Sequence, residues 1–74
     1  MVIRTKSGET FIMSVSDNGL RIQRGIGEGR VASLSGLTVG ECLTIRYFPF
    51  DIYCQTESDS ESVIITTPIT EILP

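Results

Sequence analysis

The chain has 74 residues, 41% of them hydrophobic, with six Lys and Arg against nine Asp and Glu and no histidine. A chain this short buries only about 60% of the surface it exposes when unfolded, which excludes a second domain, a long lid and a deep enclosed pocket. The Ile, Val and Leu content argues against disorder, the net charge of −3 disfavours generic nucleic-acid binding, and the missing histidine removes the commonest general base and metal ligand.

In chain order, "VIRTK" (2–6) and "ETFIMSV" (9–15) read as strands joined by "SG" (7–8), a tight hairpin in which Gly8 takes a positive φ. Phe11, Met13 and Val15 share one face of the second strand and are assigned to the core. Arg4 and Lys6 break the first apolar run before a signal-peptide core develops. The longest uncharged apolar-leaning run, "SVIITTPIT" (62–70), is far short of the ~20 residues of a spanning helix. A cytoplasmic chain without a membrane partner is therefore expected. "SDNG" (16–19) reads as a turn. "LRIQR" (20–24) alternates, with Leu20 and Ile22 inward, Arg21 and Gln23 outward and Arg24 at the rim.

The segment "RGIGEGR" (24–30) has the look of a signature. A dinucleotide fingerprint needs G-x-G-x-x-G between a strand and a helix. Here Arg30 stands at the third glycine position, and no helical pattern follows. A P-loop is excluded because the chain has no Gly-Lys-Ser/Thr. What survives is an anion-binding nest of glycine backbones assisted by Arg24 and Arg30 and opposed by Glu28. The preferred expectation is a mobile hairpin loop at one barrel end.

In "RVASLSGLTVGE" (30–41), Val31, Leu34 and Leu37 are spaced by three, as in a helical turn, but Gly36 and Gly40 keep the segment short. Residues 31–39 are left open between strand and helical turn. "CLTIRYF" (42–48) is a strand with Leu43, Ile45 and Tyr47 inward. A turn at "FPFD" (48–51) returns it as "IYCQTES" (52–58), so that Tyr47 faces Ile52, Ile45 faces Cys54 and Leu43 faces Thr56. This register buries Cys54, turns Cys42 to the other face and keeps the sulfurs too far apart to bridge. Two reduced thiols suit the cytosol.

Phe48, Phe50 and Tyr53 cluster about that turn, stiffened by Pro49. They read as a protein-contact patch, whose core favours aromatics, or as rings capping an open barrel end. "SDSE" (58–61) is a polar turn. "SVIITT" (62–67) is apolar on both faces at Val63, Ile64 and Ile65, and Pro68 marks a bulge, an edge or the end of pairing. "ITEIL" (69–73) is a last short strand. Six to seven short antiparallel strands without an amphipathic helix define a single all-β domain over 1–74. A small barrel or compressed sandwich is expected, in SH3-like form.

Little chemistry follows from these residues. Glu57, Asp59 and Glu61 lack the glycine and spacing of an EF-hand loop and read as a solvated turn. Two thiols on opposite faces without an imidazole make no zinc site. Arg46 shares a strand face with Cys42, but a structural thiol is preferred to an activated one. The expectation is no catalytic residue, no metal and no cofactor. Charge is uneven: all six basic residues lie in 1–46 with four acids, giving +2, whereas 47–74 holds five acids and no base, giving −5.

"MVIRTKSGETFIM" (1–13) resembles the opening of the carbon storage regulator family, small dimeric β proteins that bind RNA. Those chains begin Met-x-Ile-x-Thr-basic, followed by Gly-Glu-Thr and an apolar strand. The resemblance, which needs a one-residue gap, implies RNA contacts at Arg4 and Lys6. The family also uses a basic, apolar final strand entering a charged helix. Residues 47–74 here are acidic throughout, so the RNA contacts are not carried over.

The sequence thus points to a non-catalytic binding or assembly module contacting a protein partner or itself. Its candidate contacts are Phe48, Phe50, Tyr53 and Ile64. A homodimer is favoured, because a strand apolar on both faces is either central in a sheet or covered by a partner. The alternative is nucleic-acid binding through the basic N-terminal half, with Arg21, Arg24 and Arg30 as the anion contacts and Arg4 and Lys6 beside them.

Overall fold

A computed structural model describes residues 1–17 and 19–74. Its strands are β1 (Val2–Thr5), β2 (Thr10–Ser16), β3 (Gly19–Arg24), β4 (Gly27–Ser35), β5 (Cys42–Asp51), β6 (Thr56–Glu57) and β7 (Ser62–Leu73). The sheet order is β4-β3-β2-β1-β7-β5-β6, and β4 also pairs with β5. That last pairing closes six antiparallel strands into a barrel and leaves β6 as a short addition to β5. No helix occurs among the described residues.

The meander β1 to β4 follows from local alternation. Gly8, at φ +91°, turns β1 into β2, with Ile3 opposite Phe11; Met13 then faces Ile22 across β2 and β3. These inward residues, with Leu43, Ile45 and Ile69, form the buried core; Leu20, Val31, Leu34, Tyr47, Ile64 and Ile72 pack around it. Each such side chain contributes about 1.5–3 kcal/mol when fully removed from water. Val15 departs from the expectation: it is 86% exposed. The chain before and along β1 pairs with β2 only as far as Met13, which exchanges hydrogen bonds with Met1, so β1 does not reach Val15. Ser16 pairs with Gly19 where β2 meets β3; the expected turn there includes Asn18, which lies outside the described residues.

Three register shifts bend the barrel, one of them between Arg4 and Thr5, where β7 carries Thr70 as an extra residue. The β4–β5 register shifts between Val31 and Ser33, leaving Ala32 as an extra residue. That shift brings Val31 and Leu34 to the same face, which explains the spacing of three without a helix. On β7, Cys42 faces Pro68 while Thr44 faces Ile65, so β7 carries the extra residue. The Leu43 N–H donates to the buried Thr66 Oγ1 (3.0 Å), and that hydroxyl donates to the Thr67 carbonyl (2.7 Å). Pro68, which has no N–H, therefore sits at a bulge whose hydrogen bonds are satisfied by a side chain. The strand runs unbroken past it rather than splitting in two.

Two expected connections are corrected. β5 does not turn at Pro49 but continues to Asp51, and the chain reverses at 52–55, pairing Phe50 with Glu57 and Asp51 with Thr56. The turn is initiated by Asp51, whose carboxylate accepts the N–H groups of Tyr53 (2.8 Å) and Cys54 (3.2 Å). Cys54 is consequently an exposed turn residue and not a neighbour of Ile45. Nor is 24–30 a mobile loop. Arg24 pairs with Gly27 across a two-residue turn, Gly25–Ile26, and 27–30 belong to β4. Gly25, at φ +58°, occupies the first central position, where a tight hairpin turn calls for glycine.

Candidate interaction surface

The four residues assigned to protein contact are dispersed. Tyr53, at the tip of the 52–55 turn, is 92% exposed, with Ile52 exposed beside it. Phe48 and Phe50 are half-buried on β5. The Arg30 guanidinium lies 4.7 Å from the Phe48 ring centroid, while its Nε donates to both carboxylate oxygens of Glu57 at 3.2 Å. Ile64 turns inward and packs on the core. Phe50 and Ile64 do meet, at an open cleft of about 340 Å³ at one barrel end. Its floor is Phe11, Ile22 and Tyr47, and the β3–β4 hairpin overhangs it. Tyr53 is not part of that cleft.

The basic residues assigned to anion contact are already partnered. Arg21 faces Glu28 (3.8 Å), Arg24 bonds Glu9 (3.2 Å) and Arg30 bonds Glu57 (3.2 Å). Arg4 and Arg46 pair likewise with Glu71 and Glu61. The arrangement follows from register: Arg4 stands opposite Glu71 across β1 and β7, Arg30 reaches Glu57 across β5, and the remaining pairs link adjacent strands or strand ends. Glu28, read as an intruder in an anion nest, is instead the partner of Arg21. Among the described residues, Lys6 is the one basic side chain without an ion pair.

Other surfaces were less visible in the sequence. A second open cleft, of about 350 Å³ and lined by Met13, Val15, Leu20, Leu34 and Leu37, lies where β3 and β4 part. Leu34 and Leu37 belong to the apolar spacing that leaves 31–39 open between strand and helical turn; the structure places 31–35 in β4. Val63 and Ile65 project outward from β7 as exposed apolar residues. Alternation does predict this face, since Ile64 between them is inward.

Chemistry at these sites is sparse. The Asp51 carboxyl titrates below its ordinary range, because the backbone N–H groups of Cys54 and Tyr53 bond its charged form. Cys42 and Cys54 are free and exposed. Cys42 opens β5 and Cys54 lies in the turn past its other end; ten residues of strand span roughly 30 Å, so no bridge can join them. No group of three or more His, Cys, Asp or Glu able to hold a metal is found among the described residues. No protein-family model matches the chain, and comparison with curated proteins and with solved structures returns no match.

Proposed function

We propose that this protein is a small non-catalytic binding module that contacts another protein, or a second copy of itself, through exposed apolar side chains. In this reading the closed barrel is an SH3-like platform that works in the cytosol, with its thiols reduced. The observation that carries the reading is the exposure of large apolar residues on so small a body: Ile52 and Tyr53 on one turn, Val63 and Ile65 on one strand face. Contact surfaces favour such aromatic and aliphatic anchors. The nucleic-acid alternative draws less support, because each of the five arginines is ion-paired with a carboxylate and Tyr53 has no arginine beside it.

Cross-linked capture from host lysate, run with and without nuclease, tests the choice. The expected result is capture that survives nuclease and is lost in the double variant Ile52→Ser, Tyr53→Ser, while Arg24→Ala, Arg30→Ala retains it. Capture abolished by nuclease or by the arginine variant would transfer the function to nucleic acid. Single-stranded RNA binding that weakens steeply with salt would agree with that transfer.

A further inference from the structure

We infer that the first half of β7 is an assembly edge, at which residues 62–66 pair antiparallel with the same segment of a second copy about a two-fold axis through Ile64. The inference rests on the binding-module reading and specifies its partner and mode.

The edge follows from the topology. β1 pairs with β7 only over 69–73, whereas β5 pairs with it over 62–65 and at Pro68. Residues 62–65 therefore have a neighbouring strand on one side alone, and among the described residues no other backbone hydrogen bond reaches them. The side they leave open can be read from Leu43, whose N–H points at β7. Backbone groups of an antiparallel strand alternate in direction, so Ile45 and Tyr47 also point at β7 and engage Ile64 and Ser62. Val63 and Ile65 must then direct their N–H and C=O outward. Ile65 is 72% exposed, against 46% for Ile12, which β1 and β3 flank on both sides.

Natural edges are blunted by lysine, proline or inward charges. This one reads "SVIITT", β-branched and uncharged. The charges beside it, Glu61 before Ser62 and Arg46 opposite Val63 on β5, are paired with each other at 3.1 Å, and Pro68 lies beyond the segment. Such an edge matches an extended strand, and a second copy satisfies it without opposing like charges. Centring the axis on Ile64 pairs Val63 of each copy with Ile65 of the other. Each pair exchanges both backbone hydrogen bonds through the outward groups. On the outer face, the two apolar pairs then cover one another. On the inner face, the 340 Å³ cleft that Ile64 borders has room for Ile64 of the second copy.

Sedimentation equilibrium from micromolar to millimolar protein, joined to residue-resolved hydrogen exchange, tests this. A dimer is expected in which the Val63 and Ile65 amides lose protection on dilution while the Ile64 amide keeps it. Ile65→Lys should weaken dimerisation at least about tenfold, a lysine on the edge being an established block to pairing. If that variant fails to fold, Val63→Thr with Ile65→Thr preserves the β-branched shape and removes the apolar row. A protein monomeric at millimolar concentration overturns the inference. So does a dimer that is indifferent to these variants and leaves both amides freely exchanging. In either case, partner capture that still depends on Tyr53 leaves the binding-module reading standing, and loss of that capture removes both.

Discussion

Of the three glycines of "RGIGEGR", two must be glycine, each for a different reason, and the third need not be. Gly25 holds φ +58° at a turn, with open space around its missing Cβ. A Cβ on Gly27 would meet nothing closer than the Arg24 carbonyl at 3.5 Å, an ordinary contact. Gly29 is buried, and a Cβ there would lie 2.5 Å from the Phe48 carbonyl oxygen and 2.8 Å from the Tyr47 ring. It is the point at which β4 crosses closely against β5 as the barrel closes. Gly29→Ala should therefore destabilise by about 1–3 kcal/mol, since the backbone carbonyl cannot move aside freely. Gly25→Ala should lose about 1 kcal/mol from backbone strain alone, and Gly27→Ala should be nearly neutral. Urea titrations of the three variants check that order. If Gly27→Ala proves the most damaging, the close approach has been placed at the wrong glycine.

At the scale of elements, the hairpin ends carry charge but little of the stability. Arg24→Ala and Arg30→Ala each remove a partly exposed ion pair, worth about 0–1 kcal/mol. Both arginines also lie over a ring, Arg30 closer, at 4.7 Å from the Phe48 centroid against 6.0 Å for Arg24 and Phe11. Both variants should stay folded, with the larger drop in thermal midpoint for Arg30→Ala; unfolding of either would make the ion pairs structural. The 52–55 turn titrates. Its Asp51 carboxyl is lowered in the folded state, so the stabilisation is present above the ordinary aspartate range and is lost as pH falls through the folded pKa beneath it. The Tyr53 and Cys54 amide resonances should shift together over that acid window, and Asp51→Ala should abolish the shared transition. Asp51 also shows why part of the site was illegible in sequence. Pro49 is the stronger turn signal by composition, but at Pro49 β5 is still paired with Gly29 of β4, and a side-chain cap two residues later sets the reversal. The alternation that placed Phe11, Met13, Ile22, Leu43 and Ile45 inward was local and legible. The bulge at Ala32 was not, because it depends on the register of a distant strand.

For the whole molecule, β7 decides both closure and surface. Its second half seals β1 and buries Ile69; its first half rests on β5 and leaves Ile65 in solvent. The same closure brings the two charged parts together: Arg4 and Arg46 meet Glu71 and Glu61 across adjacent strands or strand ends, and Arg30 reaches Glu57 across β5. These pairs offset part of the imbalance between the +2 and −5 segments. A domain of this length commands only about 4–11 kcal/mol in total, so one core deletion is a large fraction of it. Ile69→Ala should cost about 2–5 kcal/mol by cavity formation, enough to bring the barrel near unfolding at room temperature. Ile65→Ala, four residues away on the same strand, should change monomer stability by less than about 0.5 kcal/mol. Denaturation at a dilution where only monomer is present separates the two. Equal losses at both positions would mean that the first half of β7 is covered within the monomer, and that its exposed face is not free to meet a partner.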